Sequence, residues 1–172
     1  MRARTVGEPW HLSSQSEKPP EDPYSIAVDG RELNPDRQVL GNSQVRENVA
    51  KLYENIVKEV GNSDFTFQVT GGDRYVDPAG NIRSSTTGET VADASRTSPH
   101  LISRGARAAD LRIRGVSDAI VDRAIRGTSF LPANTVRGYP DLHTHVALPN
   151  RPEFYIRPRR RRRRTPPGRR GR

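Results

Sequence analysis

From residue 42 onward the chain changes character, and apolar side chains begin to recur at regular intervals. Val45, Val49, Leu52, Tyr53, Ile56, Val57 and Val60 are spaced three and four apart, which is the spacing of one helical face. Asn42 or Ser43 is a suitable N-cap and Gly61 a suitable stop, so a helix is predicted over 43–60. The period then shortens to two. In Asp64-Phe65-Thr66-Phe67-Gln68-Val69-Thr70 the residues Phe65, Phe67 and Val69 share one buried face of a strand, which Gly71-Gly72 ends. Residues 73–97 are polar and turn-rich, and Asp77-Pro78-Ala79-Gly80-Asn81 is a turn able to close a hairpin.

A second alternating stretch covers 106–113, with Ala109, Leu111 and Ile113 on one face and Ala108, Asp110 and Arg112 on the other. A short helix follows, capped at Ser117 and ended by Gly127, with Val116, Ile120, Val121, Ala124 and Ile125 turned inward. After a loop holding Phe130, Leu131 and Pro132, residues 141–148 alternate again as a last strand. The expected fold is α+β, a small antiparallel sheet with two helices packed on it. Residues 42–150 form the domain.

The two ends read differently. Residues 1–41 centre on SEKPPEDPY and offer few apolar groups to offset the entropy of ordering, so they are expected to form a disordered arm. The net charge of +9 points to nucleic acid until it is located. Ten arginines and no acid lie within 157–172, and the remaining 19 basic residues face all 20 acidic ones, leaving 1–156 at −1. The basicity therefore belongs to an Arg-rich tail, residues 151–172, expected to be disordered. Its run at 159–164 suits weak, non-specific contact with nucleic acid or an anionic surface and has no aromatic residues for stacking on bases. No apolar run approaches the roughly 20 residues of a membrane span. MRARTVGEPWHLSSQS lacks the apolar middle of a secretory signal, so the chain is expected to be cytoplasmic as written or delivered within a larger secreted protein.

The candidate chemistry sits in Asp141-Leu142-His143-Thr144-His145-Val146-Ala147-Leu148, which holds two of the chain's four histidines. On a strand, Leu142, Thr144, Val146 and Leu148 share one face, while Asp141, His143, His145 and Ala147 share the other. Asp110 is likewise opposite the apolar face of its own strand. The absence of cysteine leaves histidine and carboxylate as the metal ligands, types that suit zinc. His100, Asp110 and one of the two strand histidines would supply three ligands and leave a position for water.

These residues fall in an order that resembles the zinc D-alanyl-D-alanine carboxypeptidases and their Hedgehog-like relatives. The order is a helix at 43–60, Val69-Thr70-Gly71-Gly72-Asp73-Arg74, Ser98-Pro99-His100, Gly105, Ala108-Ala109-Asp110 and His143-Thr144-His145. The resemblance implies a zinc metallopeptidase acting on peptide or cell-wall peptide, expected as a monomer, with Zn2+ held by His100, Asp110 and His145. It implies that His143 is a non-ligand partner in the active site and that Arg74 holds the substrate's carboxylate or the developing oxyanion. It also implies an acid shortly before the last ligand as general base, for which Asp141 is the neighbouring residue. The ten positions from His100 to Asp110 exceed the family's usual spacing, and a bulged loop near Gly105 could absorb the excess. More loosely, RSSTTGE, SPHLISRGARAADL and YPDLHTHVALP are similar to C-terminal modules of rearrangement-hotspot (Rhs) repeat proteins.

Two other functions compete with hydrolysis. One is a catalytically inactive, metal-stabilised interaction or toxin-associated module, and the other a non-specific nucleic-acid binder acting through the tail. Taken singly, His100 reads as a surface residue, Arg74 as the partner of Asp73 in a surface ion pair, and Gly71-Gly72 as a strand terminator.

Overall fold

The computed structural model describes residues 22–137 and 143–150. Among them the chain forms β1 (Ala27–Val28), β2 (Arg31–Glu32), α1 (Ser43–Val60), β3 (Thr66–Gly71), β4 (Arg74–Val76), β5 (Ile82–Ser84), β6 (Ala108–Arg114), α2 (Asp118–Arg126) and β7 (Thr144–Ala147). Asn42 caps α1, its side-chain oxygen accepting from the Gln44 amide at 3.0 Å. Gly61, at φ 80°, closes the helix by donating its amide to the Val57 carbonyl. Ser117 occupies the N-cap position of α2 as expected, though its hydroxyl makes no capping bond.

Three strands build the central sheet in the order β3-β6-β7, all antiparallel. One face of it takes Phe67 and Val69 from β3, Ala109 and Leu111 from β6, and Val146 from β7, all buried. Against this face pack Val45, Val49, Leu52 and Ile56 of α1 with Val121, Ala124 and Ile125 of α2, in one hydrophobic cluster. Full burial of each such large aliphatic side chain contributes about 1.5–3 kcal/mol. The fold is α+β, as the periodicities indicate. The DPAGN turn does close a hairpin, β4–β5, in which the Asp77 carboxylate accepts from the Asn81 amide at 2.8 Å and from Arg83 Nε at 2.6 Å.

The arm differs from expectation over its second half. Ile26, Val28, Leu33 and Leu40 are buried and belong to the core. Few as they are, they sit at the positions that face inward, and the polar residues between them satisfy the backbone. Buried Asn34 donates to the carbonyls of Tyr24 and Gln38 and accepts from the Gln38 amide. Glu32 accepts from the amides of Ile26 and Asn34. Arg31 donates to the carbonyls of Ser63 and Phe65, each at 3.0 Å. Averaging composition over 1–41 hides this, because the apolar residues are confined to its end. The ordered domain therefore begins well before residue 42. Residues 1–21 of the arm, the 151–172 tail and Asp141 lie outside the described residues.

Candidate metal centre

The outer face of the sheet carries the chemistry. The register sets Gly71 of β3, Asp110 of β6 and His145 of β7 in one row across the sheet. A bulge between Val69 and Gly71 brings Gly71 opposite Asp110. Gly71 has to be glycine here, because a Cβ would stand 2.6 Å from Asp110 Oδ2.

His100 reaches this row from a loop. Its carbonyl accepts from the Arg74 amide at 2.9 Å, so the loop is paired to the start of β4. A single 3-10 turn, Ile102–Arg104, then closes on Gly105 at φ 87°, and Ala106 is also left-handed at φ 46°. The Arg107 amide returns to the Pro99 carbonyl at 2.7 Å. This compact loop takes up the long interval between His100 and Asp110 while leaving the two side chains in contact.

Three atoms form a triangle. His100 Nε2 lies 3.2 Å from Asp110 Oδ1 and 3.2 Å from His145 Nδ1, and His145 Nδ1 lies 2.9 Å from Asp110 Oδ1. Among the described residues this is the one group of three or more histidine, cysteine or acidic side chains placed to hold a single metal ion. Ligands about 2.0–2.1 Å from a tetrahedral zinc ion stand roughly 3.3 Å apart, so the triangle is close to the size such an ion requires.

Proton inventory favours a cation in the same place. His100 Nδ1 is 2.9 Å from the Gly72 carbonyl, an acceptor only, so the Nδ1 proton is fixed there and Nε2 turns a lone pair toward the triangle. Burial pushes the His100 pKa down, which keeps the ring neutral. Burial also opposes ionisation of Asp110, but the imidazoles of His100 and His145 packed against it outweigh that and hold its carboxyl well below the usual range when a proton or a cation stands between ring nitrogen and carboxylate. A buried carboxylate and an imidazole lone pair 3.2 Å apart repel unless a proton from His145 Nδ1 or a metal cation stands between them. The His–His–Asp set thus fits a divalent ion such as zinc in number, distance and charge state.

Two more of the sequence-chosen residues border the triangle. His143 Nε2 is 3.6 Å from Asp110 Oδ1 and outside the ligand set. Arg74 donates to Asp110 Oδ2 at 3.2 Å. It pairs across the site with Asp110 and not with its neighbour Asp73, which is buried and accepts from the Gly41 amide. Arg74, His100, Asp110, His143 and His145 open into a cleft of about 590 Å³ whose other wall is the 91–99 loop. A separate cleft of the same volume, beside Arg31, Tyr53 and Lys58, holds none of these ligands.

Sequence reasoning missed the part played by the glycine pair. Gly71 makes room for the carboxylate and Gly72 supplies the carbonyl that fixes the His100 tautomer, while a Cβ on Gly72 would meet the Val39 carbonyl oxygen at 2.2 Å. Their adjacency at the end of an alternating strand was the available signal. No protein-family model matches the chain, and neither does any curated protein or solved structure. No described helix is long and apolar enough to cross a membrane.

Proposed function

We propose that the chain is a zinc-dependent hydrolase of peptide or amide bonds, a relative of the zinc D-alanyl-D-alanine carboxypeptidases, acting on cell-wall peptide and carried as a module of an Rhs-type protein. The observation that carries this reading is the His100–Asp110–His145 triangle with sides of 2.9–3.2 Å at the base of an open cleft. A structural site would be closed by a fourth protein ligand, whereas three ligands facing a cleft leave a place for water. Zinc held there supplies a Lewis acid and a water that ionises near neutral pH.

The protein's own groups divide the remaining work. Gly72 orients His100, and Arg74 neutralises and orients Asp110 from its far oxygen. His143, 3.6 Å from Asp110 and lining the cleft, is placed to hold or pass a proton beside the reacting amide. Arg74 lines the same cleft, where its guanidinium can also meet a substrate carboxylate or oxyanion. Asp141, two residues before His143, is assigned as general base on the resemblance alone.

Elemental analysis and turnover test the reading together. Purified chain is expected to hold about one zinc per molecule, to lose it on His145→Ala, and to release D-alanine from a D-Ala-D-Ala-terminated muropeptide until chelator is added. Stoichiometric zinc without turnover would leave a metal-stabilised module. No zinc at all would remove the metal centre.

A further inference from the structure

Strand β6 presents another charged side chain beside the metal centre. Arg112 follows Asp110 by two positions, so it leaves the same face of the sheet, opposite Gln68 of β3. It is half-buried, and its guanidinium makes no hydrogen bond or ion pair among the described residues. Gln68, its cross-strand neighbour, donates instead to Asp36 at 2.6 Å.

Arg112 lines a lobe of about 390 Å³ that shares Arg74, Asp110 and His143 with the metal cleft. Asp110 is the one acid on its wall, and both its oxygens are occupied, Oδ1 by the imidazoles and Oδ2 by Arg74. The lobe therefore holds a guanidinium that no described carboxylate balances, and partial burial has already taken some of its water. A divalent ion at the triangle would add to that positive field.

We propose that Arg112 is a specificity-determining residue, and that it binds a carboxylate of the substrate in the lobe beside the metal centre, so that acidic peptides are preferred. The inference rests on the hydrolase reading for its substrate and on the lobe for its chemistry. The planar fork of a guanidinium matches a carboxylate with two parallel hydrogen bonds. Two strand residues span about 7 Å, the length of a dipeptide unit, so the recognised carboxylate lies within one or two residues of the bond at the metal. A side chain or a chain end could supply it.

Two small probes separate those sources. N-acetylglutamate α-amide carries only a side-chain carboxylate and N-acetylalanine only a terminal one. Each is titrated into the zinc-loaded full chain and followed by amide chemical shifts, with zinc content measured on the same samples. At least one probe is expected to bind, and Arg112→Gln is expected to weaken it about tenfold, the loss typical of a charge-assisted pair. The affected probe identifies the source. Arg112→Lys keeps the charge without the fork and is expected to weaken binding about threefold, and it decides the matter if the Gln variant unfolds. Wild-type protein that binds neither probe, or variants that bind both as well as wild type does, would overturn the proposal. A zinc-free chain whose anion affinity still falls with Arg112→Gln would instead sink the hydrolase reading and keep the subsite.

Discussion

Two buried aspartates, Asp110 and Asp73, have opposite electrostatic lives in this fold. Asp110 is 7% exposed and meets His100, His145 and Arg74, and its carboxyl is held well below the usual range. Asp73 is 3% exposed, accepts at Oδ2 from Gly41 and leaves Oδ1 without a hydrogen-bond partner among the described residues. Burial pushes its pKa up to about 6 against the pull of Gly41 and Arg46. Both are buried. What separates them is convergence: several elements aim nitrogen atoms at Asp110, and Asp73 faces backbone that cannot complete its needs. A buried acid becomes a candidate site only when the fold brings cationic or metal-like company to both oxygens.

Metal affinity gives the sharpest contrast. Asp110→Asn removes the one negative charge among the three ligands and is expected to weaken zinc binding more than a hundredfold, beyond the 10–100-fold typical of losing an outer partner. Asp73→Asn is expected to leave zinc affinity within about twofold, because Asp73 donates nothing to the triangle. Competition with a chelator of known affinity reads both. Equal losses would show that the two acids act as one unit.

Gly71→Ala should give the next largest effect. Its Cβ would lie 2.6 Å from Asp110 Oδ2 and 3.0 Å from Asp110 Cβ, so the ligand strand has to shift. The expected cost is about 10–100-fold in zinc affinity, with the sheet still formed. An alanine variant that binds zinc like wild type would show that the close approach is unnecessary.

Much of this arrangement was legible in the sequence where local period governs. Helix α1 and strands β3, β6 and β7 follow their apolar spacing, and parity put Asp110 and His145 on the outer face before any register was known. The second half of the arm was not legible, because Leu33 and Leu40 pack through contacts made far along the chain, such as the Val69 amide on the Leu33 carbonyl at 2.9 Å. The burial of Asp73 was hidden for a related reason. In sequence it adjoins Arg74 and suggests a surface pair, whereas Asp73 lies in the link between β3 and β4, buried and bonded to the Gly41 amide, and Arg74, the first residue of β4, reaches Asp110. The role of Gly72 depends on a backbone carbonyl, which carries no signature in residue type.

The smallest effect is the pH dependence that Asp73 contributes. Folding raises its pKa from 3.8 to about 6, so the folded chain holds this proton more tightly than the unfolded one. The resulting stabilisation is fully present below about pH 4 and is lost as pH rises through 6. A shift of about two units corresponds to at most about 3 kcal/mol, and relaxation of the surroundings when the buried carboxyl ionises reduces it to roughly 1–2 kcal/mol. Asp73→Asn removes the ionisation and keeps an oxygen for the Gly41 amide. The stability difference between variant and wild type should therefore grow in the variant's favour by about 1–2 kcal/mol between about pH 4 and about pH 7.5, measured by urea unfolding with metal removed. A difference that stays constant across that range would mean Asp73 is ionised at no cost, and burial would then fail to distinguish it from Asp110.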